Sequence, residues 1–348
     1  MMLKIGIVGG GHIVNHRHIP VFKKIRDVEI SAICDKEEAF AKRTAEQFGI
    51  KKHFTSLSEM LKEHIDIVDI CTPPKTHFSL AVEAMEAGCH VLAEKPLAMT
   101  VKEVEDMISV SKRKKVKLCV VHQNLYNPAV QKAWRLVKSG AVGKVISVDV
   151  GTFVRKDNYM CVNGNHWCHT LPGGIFFEIL PHPVYLWQIF AQGGSPSCIT
   201  GEKLSDHSWM KMDELRVLLK AGNALGSVVA SCNSPYHGDS LYIFGTKMAL
   251  QADLWGRSVV KYGPRTEAPY SVGKNNLALA SQFIGLVGAT MSNSFTMALG
   301  GVKVSAHYGF ILEFVKSVQE DKETPVTLDQ AKENVRIVEE ICGLIDKT

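Results

Sequence analysis

A lysine locked against a proline at the end of an apolar run is the pair in this chain best suited to chemistry. Ala93-Glu94-Lys95-Pro96 closes the run His90-Val91-Leu92. An ammonium group stabilises negative charge developing on oxygen, and a residue before proline is restricted to extended backbone. Beside a bound dinucleotide such a lysine is suited to an alcohol that loses its proton as hydride leaves its carbon.

Such a reaction needs a hydride carrier, and the first residues provide for one. Gly9-Gly10-Gly11-His12-Ile13-Val14 follows an apolar strand and opens a helix. Gly9 permits a tight turn, and Gly11 lets backbone approach a pyrophosphate at the helix N-terminus. Val14 occupies the third position of the fingerprint, where Gly or Ala is common. Asp35 ends the next strand, 24 residues after Gly11, where an acid accepts bonds from a ribose 2′-hydroxyl. A carboxylate there repels a 2′-phosphate, so NAD is expected over NADP, with Lys36 softening the preference. Thr72-Pro73-Pro74 stops another strand at the ligand edge, and His77 opens the helix beyond it.

These residues need a sheet to hold them. Strand patterns over 3–8, 28–34, 54–55, 66–71, 90–93 and 116–121 alternate with helix patterns over 37–48, 76–87 and 100–113. That alternation predicts βαβ units, a parallel sheet, and ligands outside its carboxyl edge. After Pro128 a helix pattern over 129–138 gives way to alternating stretches at 144–154, 198–204, 214–220, 225–233, 240–244 and 248–253. These predict a mostly antiparallel sheet, and the last 40 residues return to helix. The expected architecture is an α/β Rossmann domain over 1–124 and an α+β domain with a large open sheet over 125–348, which binds substrate and oligomerises.

Taken together, Gly9–Ile13, Asp35, the blocks 66–77 and 81–96, and the blocks 126–145 and 172–186 resemble the glucose–fructose oxidoreductase/inositol dehydrogenase (Gfo/Idh/MocA) family. The resemblance implies hydride transfer between a nicotinamide cofactor and a sugar, cyclitol or nucleotide-sugar hydroxyl or carbonyl. It implies cofactor contacts from Gly9, Gly10, Gly11, His12, Ile13, Asp35, Thr72, Pro73, Pro74, His77, Glu94, Lys95 and Gln123. It places Lys95, His182 and Glu178 at the reacting hydroxyl, with Asn124, His166 and Trp167 also touching substrate, and Pro96 often cis. The family's D-x-G-x-H motif falls on Glu178, Leu180 and His182, so the carboxylate here reaches one methylene further. On that register His182, whose imidazole titrates near the working pH, is the expected base, and Glu178, one turn away if the segment is helical, is expected to orient it or bind a hydroxyl. Tyr185 stands where another Asp is frequent, and His122-Gln123-Asn124 replaces an N-x-R-like segment. Redox-neutral alternatives are an NAD-dependent glycosidase or epimerase, and a non-enzymatic dinucleotide sensor.

Composition bounds the rest. The 348 residues are 46% hydrophobic and 22% charged, with a formal charge of +5, which suits a soluble globular protein. The one basic run, Lys112-Arg113-Lys114-Lys115, reads as a solvated helix C-terminus, so no nucleic-acid partner is expected. Nine scattered cysteines without a CxxC pair, and a chain that starts as a strand, point to a reducing cytoplasmic setting without a signal peptide. Cys161, His166, Cys168 and His169 match no common zinc spacing, so no metal is expected. The apolar stretch 277–298 is interrupted by Ser281, Gln282, Ser292 and Asn293. It is expected to be a buried helix pair or subunit interface in a homodimer or homotetramer, not a membrane span.

Overall fold

The computed structural model describes residues 2–222, 224–264, 272–273, 276–284, 286–288 and 301–347. By contacts the chain divides into two units, Met1–Gln123 with Gly300–Arg336, and Asn124–Leu299 with Ile337–Thr348. The helix Ala306–Gln319 and the first half of Leu328–Ile345 thus fall in the first unit by contact, although they follow most of the second in sequence.

Among the described residues the first unit holds six strands: β1 Leu3–Val8, β2 Val28–Cys34, β3 Lys52–Phe54, β4 Ile67–Ile70, β5 His90–Ala93 and β6 Leu118–Val120. All pairs are parallel, in the order β3-β2-β1-β4-β5-β6. Every residue of β4 is buried, as a strand covered on both faces requires. This doubly wound order reverses beside β1, and the crevice there lies at the carboxyl ends of β1 and β4. The expected elements are present with shifted ends. One departure is chemical: the helix after the glycine turn contains a π-helical segment, Val14–His18, before an α-helical turn Ile19–Phe22. Hydrophobic period cannot reveal a π segment this short.

The second unit holds β7 Val145–Arg155, β8 Ser195–Glu202, β9 Glu214–Ala221, β10 Ala224–Ser234, β11 Gly238–Gly245, β12 Ala249–Asp253 and β13 Ser258–Tyr262. They form one sheet in the order β13-β12-β11-β7-β10-β9-β8. Among the described residues only β7 and β10 run parallel; the other neighbours are antiparallel. The five-residue edge strand β13 escapes the sequence pattern because only Val259 is buried in it. Val148, Val150, Thr152 and Val154 of β7 are buried, with Leu215, Val217 and Leu219 of β9, which is the period-2 signature of a half-covered sheet. The helix Pro181–Ala191 packs on β7, burying Tyr185, Leu186 and Trp187. The opposite face exposes Leu218, Leu225, Phe244 and Trp255.

Among the described residues no helix is long and apolar enough to cross a membrane. Of the stretch 277–298, residue 285 and residues 289–298 lie outside the described residues. Its described members Leu277, Phe283, Ile284 and Val287 are exposed in the single chain. They are therefore not part of a buried helix pair within it. All nine cysteines are free thiols; eight are buried and Cys198, on β8, is exposed.

Candidate active site

The carboxyl ends of β1, β2, β4, β5 and β6 gather the first set of candidates. Gly9 has φ 105, and a Cβ there would stand 2.8 Å from the Cys71 carbonyl oxygen, so only glycine fits the turn. A Cβ on Gly10 would press on the Phe40 backbone, whereas around Gly11 the space is open. The Gly10 N–H donates to Asp35 Oδ2 at 2.7 Å, and Asp35 Oδ1 accepts from the Glu37 N–H at 3.0 Å. Asp35 is thus held beside the glycine turn with lone pairs to spare. His12 and Ile13 open the helix; His12 is exposed and stacks on His16, ring centroids 4.0 Å apart. Burial, then the charges of His16 and Arg17, lower the His12 pKa.

Thr72, Pro73 and Pro74 follow β4, and the Thr76 hydroxyl, 2.7 Å from the Thr72 hydroxyl, ties off the turn. His77 is fully buried: Nδ1 lies 2.8 Å from the Pro96 carbonyl and Nε2 2.7 Å from that of Thr72. Burial lowers its pKa against the pull of those two carbonyls. With both nitrogens occupied, His77 joins the Pro73 turn to the Pro96 turn and presents no ring nitrogen to a ligand.

The Lys95–Pro96 peptide is cis and Lys95 is half-buried. Beyond Pro96, Thr100 and Glu103 form a capping box, and Glu103 also accepts from the Met99 N–H at 2.8 Å. This anchors the segment after the turn. Glu94 is buried, with Oε1 2.9 Å from His18 Nε2 and Oε2 3.1 Å from the Lys95 N–H. Burial works to raise its pKa. The His18 hydrogen bond and charge, with Lys95, outweigh it and hold the carboxylate well below its ordinary range.

His18 itself is wholly buried, with Nδ1 2.8 Å from Asp69 Oδ2. Burial opposes its charge, yet Asp69 and Cys71 raise its pKa well above the ordinary value. His122, buried, and His307, half-buried, are neighbours of Glu94 whose pKa values fall to about 3, mainly through loss of solvent around the rings. His18, Asp69 and His307 are absent from the sequence reading. A signal exists: Asp69 is an acid at the centre of the apolar run Ile67–Ile70, and a buried carboxylate demands a partner.

Gln123 follows β6, and its Oε1 is buried without a hydrogen-bond partner, as is Asn15 Oδ1 next to the glycine turn. Two orphaned acceptors, an open Gly11 and a prepared Asp35 fit a dinucleotide with its amide and hydroxyl donors.

In the second unit, Glu178 lies on the helical turn Ile175–Ile179 and His182 in the first turn of Pro181–Ala191, both half-buried. Leu180 between them is also helical, so the expected one-turn spacing holds. His182 Nδ1 is 3.0 Å from the Tyr185 hydroxyl, which accepts the Asn124 N–H at 3.2 Å. Tyr185 thus stands one turn further along the same helix as a hydrogen-bonding neighbour of the imidazole. His166 and Trp167 adjoin, ring centroids 5.0 Å apart, with Tyr159 edge-on to His166. His166 Nδ1 accepts from the Cys168 N–H at 3.3 Å, and His169 Nε2 is 2.8 Å from the Met160 carbonyl. Among the described residues, the cluster of metal-type donors that comes together is His18, Asp69 and Cys71, not the Cys161–His169 group. Elsewhere in this unit Trp187 is fully buried and Trp134 half-buried, with Lys138 over its ring.

Comparison with known proteins agrees with this geometry. A family profile described as "Oxidoreductase family, NAD-binding Rossmann fold" matches residues 3–122, and one described as "GFO/IDH/MocA C-terminal domain" matches residues 130–251. "Oxidoreductase P35" of Formosa agariphila is 28% identical over 187 residues, 52% of this chain and 58% of that protein. The myo-inositol 2-dehydrogenase of Thermotoga maritima is 26% identical over 268 residues, 72% and 75% of the two chains. The match spans only 58%, 37% and 41% of three other curated relatives, the Formosa protein among them. The crystal structure of the WlbA dehydrogenase from Bordetella pertussis, in complex with NADH and UDP-GlcNAcA, superposes with a TM-score of 0.79 at 21% identity, covering 99% of this chain and 96% of that one. The chain belongs to the Gfo/Idh/MocA family of oxidoreductases with an NAD-binding Rossmann fold.

Proposed function

We propose that the protein is a cytoplasmic NAD-dependent dehydrogenase or reductase acting on a CH–OH group of a sugar, cyclitol or nucleotide-sugar. The observation that carries this reading is the Glu94-Lys95-Pro96 turn at the carboxyl end of β5, in the same sheet as the glycine turn after β1 and Asp35 after β2. Gly9–Ile13 would hold the pyrophosphate, Asp35 a ribose hydroxyl, and Thr72, Pro73, Pro74 and Gln123 the nicotinamide half. Bound NAD supplies a hydride acceptor. The Lys95 ammonium stabilises the alkoxide that develops as the substrate hydroxyl loses its proton. His182 takes that proton, and Glu178 orients a substrate hydroxyl. Asn124, His166 and Trp167 bind the rest of the substrate, the indole offering a flat apolar face to a ring. The names of the myo-inositol and UDP-GlcNAcA relatives support a polyhydroxylated substrate.

The test is NADH formation by purified protein with NAD and a panel of sugars, cyclitols and nucleotide-sugars. Release of NADH with one class, lost in Lys95→Met while NAD still binds, supports the reading. Turnover of the Lys95→Met variant within threefold of wild type would sink it. NAD binding with substrate conversion and no net NADH would replace it with a redox-neutral reaction.

A further inference from the structure

The buried cluster behind Lys95 has a direction. Both His18 ring nitrogens face carboxylates, Asp69 Oδ2 at 2.8 Å and Glu94 Oε1 at 2.9 Å. Two acceptors can be satisfied only when both nitrogens carry protons, so the ring is an imidazolium. Glu94 passes the constraint on, since its second oxygen accepts the Lys95 N–H at 3.1 Å. Asp69 Oδ1 is buried without a partner, so this carboxylate is committed to His18, with the Cys71 thiol 3.5 Å away. The π-helical segment Val14–His18 brings His18 to this place. A π turn carries an extra residue relative to the α period, so the segment rotates side chains that a regular helix would aim elsewhere. The remaining neighbours complete the balance. His307, from the helix Ala306–Gln319, sits edge-on to His18 with centroids 6.1 Å apart, and Arg17 and Lys95 contribute positive charge.

We propose that His18 and Asp69 are positioning residues for Lys95. The buried imidazolium fixes Glu94, Glu94 fixes the Lys95 backbone, and the helix leaving the glycine turn thereby sets where the ammonium stands. The proposal rests on the reading of Lys95 as the group that meets the substrate hydroxyl. It differs from a metal site built on the same atoms: His18 Nδ1, Asp69 Oδ2 and Cys71 Sγ lie within 4.8 Å of one another, but here a proton, not a cation, joins the first two.

The experiment has two arms on the full chain. In the first, nitrogen-15 histidine NMR of the wild type at pH 8 is expected to show one imidazole with both nitrogens protonated. This arm needs no variant. A spectrum in which every imidazole is neutral overturns the proposal, and so does a stoichiometric transition metal in the purified protein by mass spectrometry. In the second, Asp69→Asn and Lys95→Met are compared for NAD affinity, KM, kcat and pH profile on the substrate found by the panel. Asp69→Asn is expected to lower kcat at least tenfold with NAD affinity and KM within threefold. Its alkaline limb should move to lower pH together with the NMR titration. Asp69→Asn with wild-type kcat and pH profile, alongside an inactive Lys95→Met, removes the positioning role and leaves the proposed function standing. An active Lys95→Met removes both.

Discussion

Two histidines separate two ways of using an imidazole. His18 is wholly buried and sits between two carboxylates. His182 is half-buried at the start of a helix, and its Nδ1 meets the neutral hydroxyl of Tyr185. The first is a fixed charge that holds backbone in place. The second is suited to accept and release a proton. The contrast shows that ring identity decides little, while the charge and wetness of the neighbours decide a great deal.

The sharpest way to break that contrast is to remove each ring. His182→Ala should lower turnover by about 10²–10⁴-fold, the usual worth of a general base, with the urea midpoint unmoved. Equal losses of activity and stability would mean that His182 is structural after all. His18→Ala should do the reverse in kind. It strands Asp69 and Glu94 as buried carboxylates, which costs about 3–5 kcal/mol, read from urea unfolding at pH 7. A change under about 1 kcal/mol would show that the cluster is solvated in solution.

Acid sharpens the comparison further. His122 and His307 have folded pKa values of about 3, below their ordinary value. The unfolded chain therefore binds protons that the native one refuses, and stability falls as pH drops from about 6.5 toward 3, by about 1.4 kcal/mol per pH unit per histidine. Glu94, depressed in the native state, adds to the loss only below its unfolded value near about 4.3. His18 runs oppositely: its raised pKa stabilises fully below about 6.5 and the benefit disappears as pH climbs through the folded value. The double variant His122→Gln/His307→Gln should flatten the slope between pH 6 and 5, checked by thermal melts across that range; an unchanged slope would assign it elsewhere. The smallest effect belongs to Tyr185→Phe, which removes the hydroxyl shared by His182 and the Asn124 N–H. About 1 kcal/mol of stability should be lost, and the acid limb of the kcat profile should shift, measured by steady-state kinetics. An unaltered profile would deny Tyr185 any hold on the imidazole.

The fold was readable because hydrophobic period and glycine–proline punctuation are local. β1, β2 and β5 fall where their apolar runs end, and Gly9 is legible because no other residue tolerates its turn. The short edge strand β13 and the π segment Val14–His18 left no such mark. Within the site, Asp35 and Lys95 were visible from their places at strand ends. The resemblance implies His77 as a cofactor contact, but no window of sequence shows that its two ring nitrogens meet the Pro96 and Thr72 carbonyls. The His18 cluster unites positions 18, 69, 94 and 307, and pairing across such separations is written in three dimensions rather than in any window of sequence. The single clue was Asp69, a charge where the strand pattern asks for an aliphatic residue.

The distribution of thiols gives the protein a built-in gauge. With eight cysteines buried and Cys198 exposed on β8, a maleimide added to the native chain should consume one equivalent quickly. The other eight would react only as the units that bury them unfold. A fluorophore attached at Cys198 would then ride on the outermost strand of the second sheet and report on that edge while leaving Lys95 and His182 unmodified.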